Sequence, residues 1–88
     1  MSTRRLTWVD EAWEDYVYWQ SNDAKTLKRI NALIRDTLRG DPFTGIGKPE
    51  PLRGALTGLW SRRITQEHRL VYSVDEEQVT ILQARFHY

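Results

Sequence analysis

The sequence predicts an α+β domain in which an N-terminal helical hairpin packs on one face of an antiparallel sheet. Three observations carry that prediction. Helical periodicity is confined to the region before Gly40, β-prone runs dominate the region after Gly58, and all five Gly and all three Pro lie between those two positions. Regular structure is therefore expected to break once, in the middle of the chain.

In chain order, Leu6 to Val9 reads as a short strand. Asp10 then offers a carboxylate N-cap for a helix running to about Gln20, with Glu11 and Glu14 suited to its positive end and Ala12, Trp13, Tyr16 and Val17 as its buried stripe. Asp23 caps a second helix, in which Leu27, Ile30, Leu33, Ile34, Thr37 and Leu38 recur at helical spacing before Gly40 ends it. The short joint Ser21-Asn22 makes the pair an antiparallel hairpin. Beyond the Gly/Pro stretch, Leu59 to Thr65, His68 to Asp75 and Val79 to Tyr88 form a meander, with turns at Gln66-Glu67 and Glu76-Glu77. Alternation puts Trp60 and Ile64 opposite Arg63, and Leu70, Tyr72 and Val74 opposite Arg69, so Arg63 and Arg69 project from one side. The helices cover the other face.

At 88 residues the chain is one domain, 1–88, and 40 % apolar content with four Trp, four Tyr and two Phe is enough for one core. Residues 1–5 are expected to fray. With no Cys there is no disulfide framework, and no signal peptide or membrane span is apparent, which fits a cytoplasmic protein. The net charge of +1 hides an asymmetry: Asp10, Glu11, Glu14, Asp15 and Asp23 stand early, while Lys48, Arg53, Arg62, Arg63 and Arg69 stand late. A polyanion would meet the second half. Gly45-Ile46-Gly47-Lys48 lacks the spacing of a phosphate-binding loop, two His without Cys argue against zinc, and Ser61 has no base beside it.

The face expected to stay open carries Arg63 and Arg69, with Lys48, Glu50 and Arg53 from the Gly/Pro-rich loop and His87 and Tyr88 from the last strand. Metal-free RNA cleavage needs such a set: a base for the 2′-hydroxyl, cations for the phosphorane and an acid for the departing 5′-oxygen. No member is diagnostic alone. A loop glutamate such as Glu50 is usually solvated, and Arg62-Arg63 reads equally as a charged guard on a sheet edge. His68 faces the same way as Leu70 and Tyr72, which gives it a structural role at the core margin. His87 should be accessible, because Leu82, Ala84 and Phe86 point to the opposite face, and a histidine serves as acid or base near neutrality. Tyr88 either stacks on a base or closes the core.

Four blocks carry a family resemblance: Trp8, Trp13, Asp15, Tyr16, Tyr18 and Trp19; Gly47-Lys48-Pro49-Glu50-Pro51-Leu52; Leu59-Trp60-Ser61-Arg62-Arg63-Ile64-Thr65 with Glu67-His68-Arg69-Leu70-Val71-Tyr72; and Arg85-Phe86-His87-Tyr88. In this order and spacing they resemble the YoeB toxin family, over Leu6 to Tyr88. The resemblance implies the RelE-like ribonuclease fold and an enzyme that cuts messenger RNA in the ribosomal A site. It also implies a YefM-like antitoxin as partner, repression of the operon through the antitoxin's DNA-binding domain, a toxin homodimer, and no cofactor. By position Glu50 looks like the general base, Arg69 like the group that stabilises the transition-state phosphate and His87 like the general acid. Lys48 and Arg63 match further cationic contacts, Tyr88 matches the terminal aromatic that positions substrate, and Arg53 stands where lysine is familiar. The alternative is a protein of the same fold that blocks the A site without cutting.

Overall fold

The computed structural model describes residues 4–86. Strand β1 (Arg5–Trp8) is followed by helices α1 (Asp10–Asn22) and α2 (Ala24–Arg39), then by a two-residue strand β2 (Glu50–Pro51) and a 3-10 turn (Gly54–Leu56). Strands β3 (Trp60–Arg63), β4 (Arg69–Val74) and β5 (Gln78–Gln83) complete one sheet, in the order β1-β5-β4-β3-β2. The β3, β4 and β5 pairings are antiparallel, as expected for the meander, and β2, which was not expected, adds antiparallel to β3. β1 lies parallel to β5, from Arg5 beside Gln78 to Trp8 beside Ile81, so the sheet is mixed. The two helices and strands β2 to β4 all intervene between them, which gives the long connection a parallel pair needs. Arg5 belongs to β1 and Arg4 donates to the Asp75 carbonyl at 2.6 Å, so of the five residues expected to fray these two are held.

Strand pairing continues one residue past β1, because Val9 N–H donates to the Ile81 carbonyl at 3.1 Å. The Val9 carbonyl then accepts the first bond of α1 from Trp13. Val9 is thus the N-cap, and Asp10, expected to cap, is the first helical residue, where its charge complements the helix dipole. The buried stripe also differs. Ala12 and Trp19 are buried, whereas Trp13 is 45 % exposed, stacks on Tyr16 and meets Trp8 edge-on instead. Asp23 is the whole joint between the helices: its N–H closes α1 on the Trp19 carbonyl, and its carboxylate accepts from Lys25 N and Thr26 N, capping α2.

The core lies between the helices and one sheet face. It joins Ala12, Trp19, Ile30, Leu33 and Ile34 to Ile64, Leu70, Tyr72, Val79, Ile81 and Ala84. A register shift at Val71/Tyr72 leaves Leu82 of β5 without a partner, since Val71 pairs with Gln83 and Tyr72 with Ile81. Such a bulge moves the alternation by one residue. Val79 and Ile81 are buried, and after the shift Ala84 is buried again, while Phe86 is 57 % exposed. Ala84 is thus buried as expected, but Leu82 is unpaired, Phe86 is exposed and β5 ends at Gln83, so the alternation expected to make His87 accessible stops before it. His87 and Tyr88 lie outside the described residues.

Candidate active site

Glu50 sits on β2, at the sheet edge, rather than in irregular loop. Pro49 and Pro51 hold the chain extended around it, and an edge strand tolerates proline because its outward side needs no donor. Glu50 is in register with Ser61, and Pro51 with Trp60. Two residues along β3 from Ser61 is Arg63, in register with Arg69 of β4. Register partners, and residues two apart on a strand, share a face. Glu50, Ser61, Arg63 and Arg69 therefore stand on the face turned away from the helices, as expected for the two arginines. Diagonal neighbours in such a ladder lie about 7–8 Å apart, with Cβ atoms somewhat closer, so the carboxylate at 50 and the guanidinium at 63 are neighbours on this face.

Lys48 and Arg53 flank this strip. Arg63 N–H donates to the Gly47 carbonyl at 2.7 Å, which holds the exposed Lys48 beside the end of β3. Arg53, also exposed, shares an open groove with Glu50, Pro51, Leu52 and Leu56. Arg69 is only 7 % exposed. Its Nη1 donates to the carbonyls of Thr65, Gln66 and His68 at 2.7, 3.0 and 3.1 Å, which fixes the guanidinium against the β3–β4 turn. Among the described residues its Nε and Nη2 edge makes no hydrogen bond, and that edge is the fork that grips a phosphate.

Two sets of residues not assigned from the sequence hold this strip in place. The first is centred on Arg62, which is fully buried and is no edge guard. Its Nη1 donates to Asp36 Oδ2 at 2.6 Å and to the Ile46 carbonyl at 2.9 Å. Nη2 donates to the carbonyls of Asp41 and Thr44 at 3.2 and 2.8 Å, and Nε to the Tyr72 hydroxyl, which donates in turn to the Pro42 carbonyl. Arg62 cannot also meet a polyanion. Its hydrogen bond is the main cause that holds the Asp36 carboxyl below the ordinary value, while burial pushes the Tyr72 hydroxyl up. The signal was present in the alternation, because a face shared by Trp60 and Ile64 also includes Arg62.

The second set docks the segment that leads to His87. Ala84 is held at both ends of its peptide unit: its N–H donates to Asp15 Oδ2 at 3.0 Å, and its carbonyl accepts from Trp19 Nε1 at 2.8 Å. Burial raises the Asp15 carboxyl, opposed by that Ala84 N–H and by Arg85. The Arg85 guanidinium lies 3.5 Å from the Tyr18 ring centre. The Phe86 carbonyl accepts from Arg69 N, so the last described residue lies against a candidate catalytic position. Asp15, Tyr18 and Trp19 thus have a common task that helical periodicity does not reveal.

Two helices on one face of a five-stranded mixed sheet, with a carboxylate and cations on the other, define the class: a RelE-like α+β fold of the microbial ribonuclease type. The family described as the YoeB-like toxin of bacterial type II toxin-antitoxin systems matches residues 8–88. The Toxin YoeB of Streptomyces coelicolor is 57 % identical over 84 residues, covering 96 % of this chain and 99 % of the relative. That of Escherichia coli K12 is 55 % identical with the same coverage. Among solved structures, a YoeB/ParE toxin from Agrobacterium tumefaciens is 50 % identical with a TM-score of 0.91, covering 96 % of this chain and 99 % of that one. The YoeB dimer from Staphylococcus aureus is 46 % identical with a TM-score of 0.91, covering 99 % of this chain and 100 % of that one. The YoeB–YefM complex from the same organism gives 45 % and 0.88, with the same coverage. This chain belongs to the YoeB family of type II toxins.

Proposed function

We propose that this toxin is a ribosome-dependent endoribonuclease that cleaves messenger RNA in the A site and so stops translation. Glu50 removes the 2′-hydroxyl proton, the 2′-oxygen attacks the adjacent phosphorus, and the bond to the 5′-oxygen breaks as His87 protonates it, leaving a 2′,3′-cyclic phosphate. Arg69 and Arg63 hold the phosphorane charge, Lys48 and Arg53 grip flanking phosphates, and Tyr88 stacks on a base. The observation that carries this reading is the shared face of Glu50, Arg63 and Arg69, set by the pairings Glu50 with Ser61 and Arg63 with Arg69. These groups supply base and cation without a metal, and His87 adds the acid. Ribosomal bending of the messenger supplies in-line geometry.

The S. aureus relatives assemble as a dimer and with YefM. By analogy, this chain forms a homodimer in the cytoplasm and is neutralised by a YefM-like antitoxin, through which the complex binds operator DNA and represses its operon. Primer extension on translating ribosomes tests the nuclease. Cuts within the A-site codon, lost in Glu50→Gln and His87→Ala and absent on ribosome-free RNA, are expected. Arrested translation over uncut messenger would make the protein an A-site blocker instead.

A further inference from the structure

We infer that His68, through its Nδ1 lone pair, is a positioning residue for the chemistry assigned to His87. The inference rests on the proposed role of His87 as general acid. Phe86 N–H donates to His68 Nδ1 at 2.8 Å. A backbone N–H can only donate, so in this contact Nδ1 is the accepting nitrogen of the ring. The Phe86 carbonyl accepts from Arg69 N–H at 3.0 Å and from Gln83 Nε2 at 3.0 Å. The peptide groups on both sides of Phe86 are thereby clamped, one covalent bond before His87. The His68 ring is itself held, its centre 4.9 Å from that of Trp19 in an edge contact.

This clamp holds a conformation that side chains avoid. Phe86 has φ 66, and among the described residues only Lys48, φ 51, is another non-glycine in the left-handed region. Burial of the ring does not explain it, because Phe86 is more than half exposed. Left-handed backbone persists where surrounding bonds over-determine it, and such sites cluster at functional positions. The two that occur here are Lys48, beside the candidate base, and Phe86, next to the candidate acid. His68 supplies the bond that selects the Phe86 conformation, and so the direction in which the chain enters residue 87.

The test compares His68→Ala, which lacks the acceptor, with His68→Asn, whose Oδ1 accepts from a position close to that of Nδ1. Single-turnover cleavage on ribosomes with a defined A-site codon gives the rate at saturation and the half-saturating concentration separately. Cleavage by His68→Ala is expected to fall about a hundredfold in rate with half-saturation unchanged, since a displaced catalytic group costs on that order. His68→Asn should recover most of the rate, and amide exchange at Phe86 should be slow in the parent and Asn proteins and fast in the Ala protein. If His68→Ala does not fold, His68→Phe keeps a ring against Trp19 but offers no acceptor to the Phe86 N–H, and should show the same rate loss. A His68→Ala or His68→Phe protein that cleaves within threefold of the parent overturns the inference, as does an Asn variant as slow as Ala. His87→Ala, run alongside, separates the two failures: full activity there refutes the role of His87, whereas an inactive His87→Ala beside an active His68→Ala refutes the positioning role alone.

Discussion

The two segments that bring candidate catalytic groups to the sheet face are fastened by different physics. The loop from Asp41 to Thr44, and on through Ile46 towards Lys48 and Glu50, is held by a buried charge: one guanidinium reaches Asp36 and several backbone carbonyls at once. The segment from Ala84 to Phe86 is held by separate bonds to Asp15, Trp19, His68, Gln83 and Arg69, two at the buried Ala84 and three at the exposed Phe86. A charge in the interior cannot lose part of its coordination cheaply, so the first segment should leave only when the domain unfolds. Bonds made one at a time near solvent can open one at a time. The base side of the site is therefore tied to global stability and the acid side to local order.

The largest effect that would break this comparison is expected at Arg62. Arg62→Met keeps the apolar stem but strands the loop carbonyls, and should cost about 3 to 5 kcal/mol of unfolding free energy. Urea denaturation measures it, and a loss below 1 kcal/mol would mean the loop holds without its hub. Gly45→Ala should follow. Gly45 has φ +112, and a Cβ there would lie 2.2 Å from Asp36 Oδ2, the atom that Arg62 grips. A loss of about 2 to 3 kcal/mol is expected, from strain and a displaced carboxylate together. Neither change should alter amide exchange at Phe86 under native conditions, apart from any increase due to global unfolding.

The same contrast explains what was legible in the sequence. Helix α2 was, because its stripe repeats and Asp23 marks its start, and the face shared by Arg63 and Arg69 followed from a period of two. Arg62 was misread because two adjacent arginines suggest solvent, although the alternation put one of them inside. β2 was hidden because a two-residue strand carries no period. The course of the C-terminal segment was hidden by the bulge at Leu82, a single unpaired residue that passes the buried face from Val79 and Ile81 to Ala84, and by the end of β5 at Gln83. Candidate site residues were easier to name than the residues that hold them, since Asp36, Asp15, Trp19 and His68 act through contacts far apart in the chain.

Acid should weaken the loop attachment in a defined window. Because the Arg62 hydrogen bond, with the Ile46 N–H and the Arg62 charge, holds Asp36 below its ordinary value of 3.8, folding favours its ionised form. That contribution is complete above the unfolded pKa of about 3.9 and is lost as pH falls through the lower folded value. Asp36→Asn should cost about 1 to 2 kcal/mol at pH 7, moderated because a third of the Asp36 side chain meets solvent. Below about pH 4 the difference from the parent should shrink. A difference that stays constant to about pH 2 would show that the bond to Arg62 does not depend on charge.

The smallest effect sharpens the comparison most. Trp19→Phe keeps an aromatic ring in the core but removes the Nε1–H that satisfies the Ala84 carbonyl. One neutral hydrogen bond lost from the buried Ala84 carbonyl should cost about 1 kcal/mol of global stability. If the C-terminal segment opens by itself, amide exchange at Ala84 and Phe86 should accelerate by more than that global loss allows, while amides of α2 follow the global change. If instead the two accelerate equally, the segment is part of the same cooperative unit as the core, and the distinction between a base side tied to folding and an acid side tied to local order disappears. Hydrogen exchange followed residue by residue on the parent and this one variant decides between them.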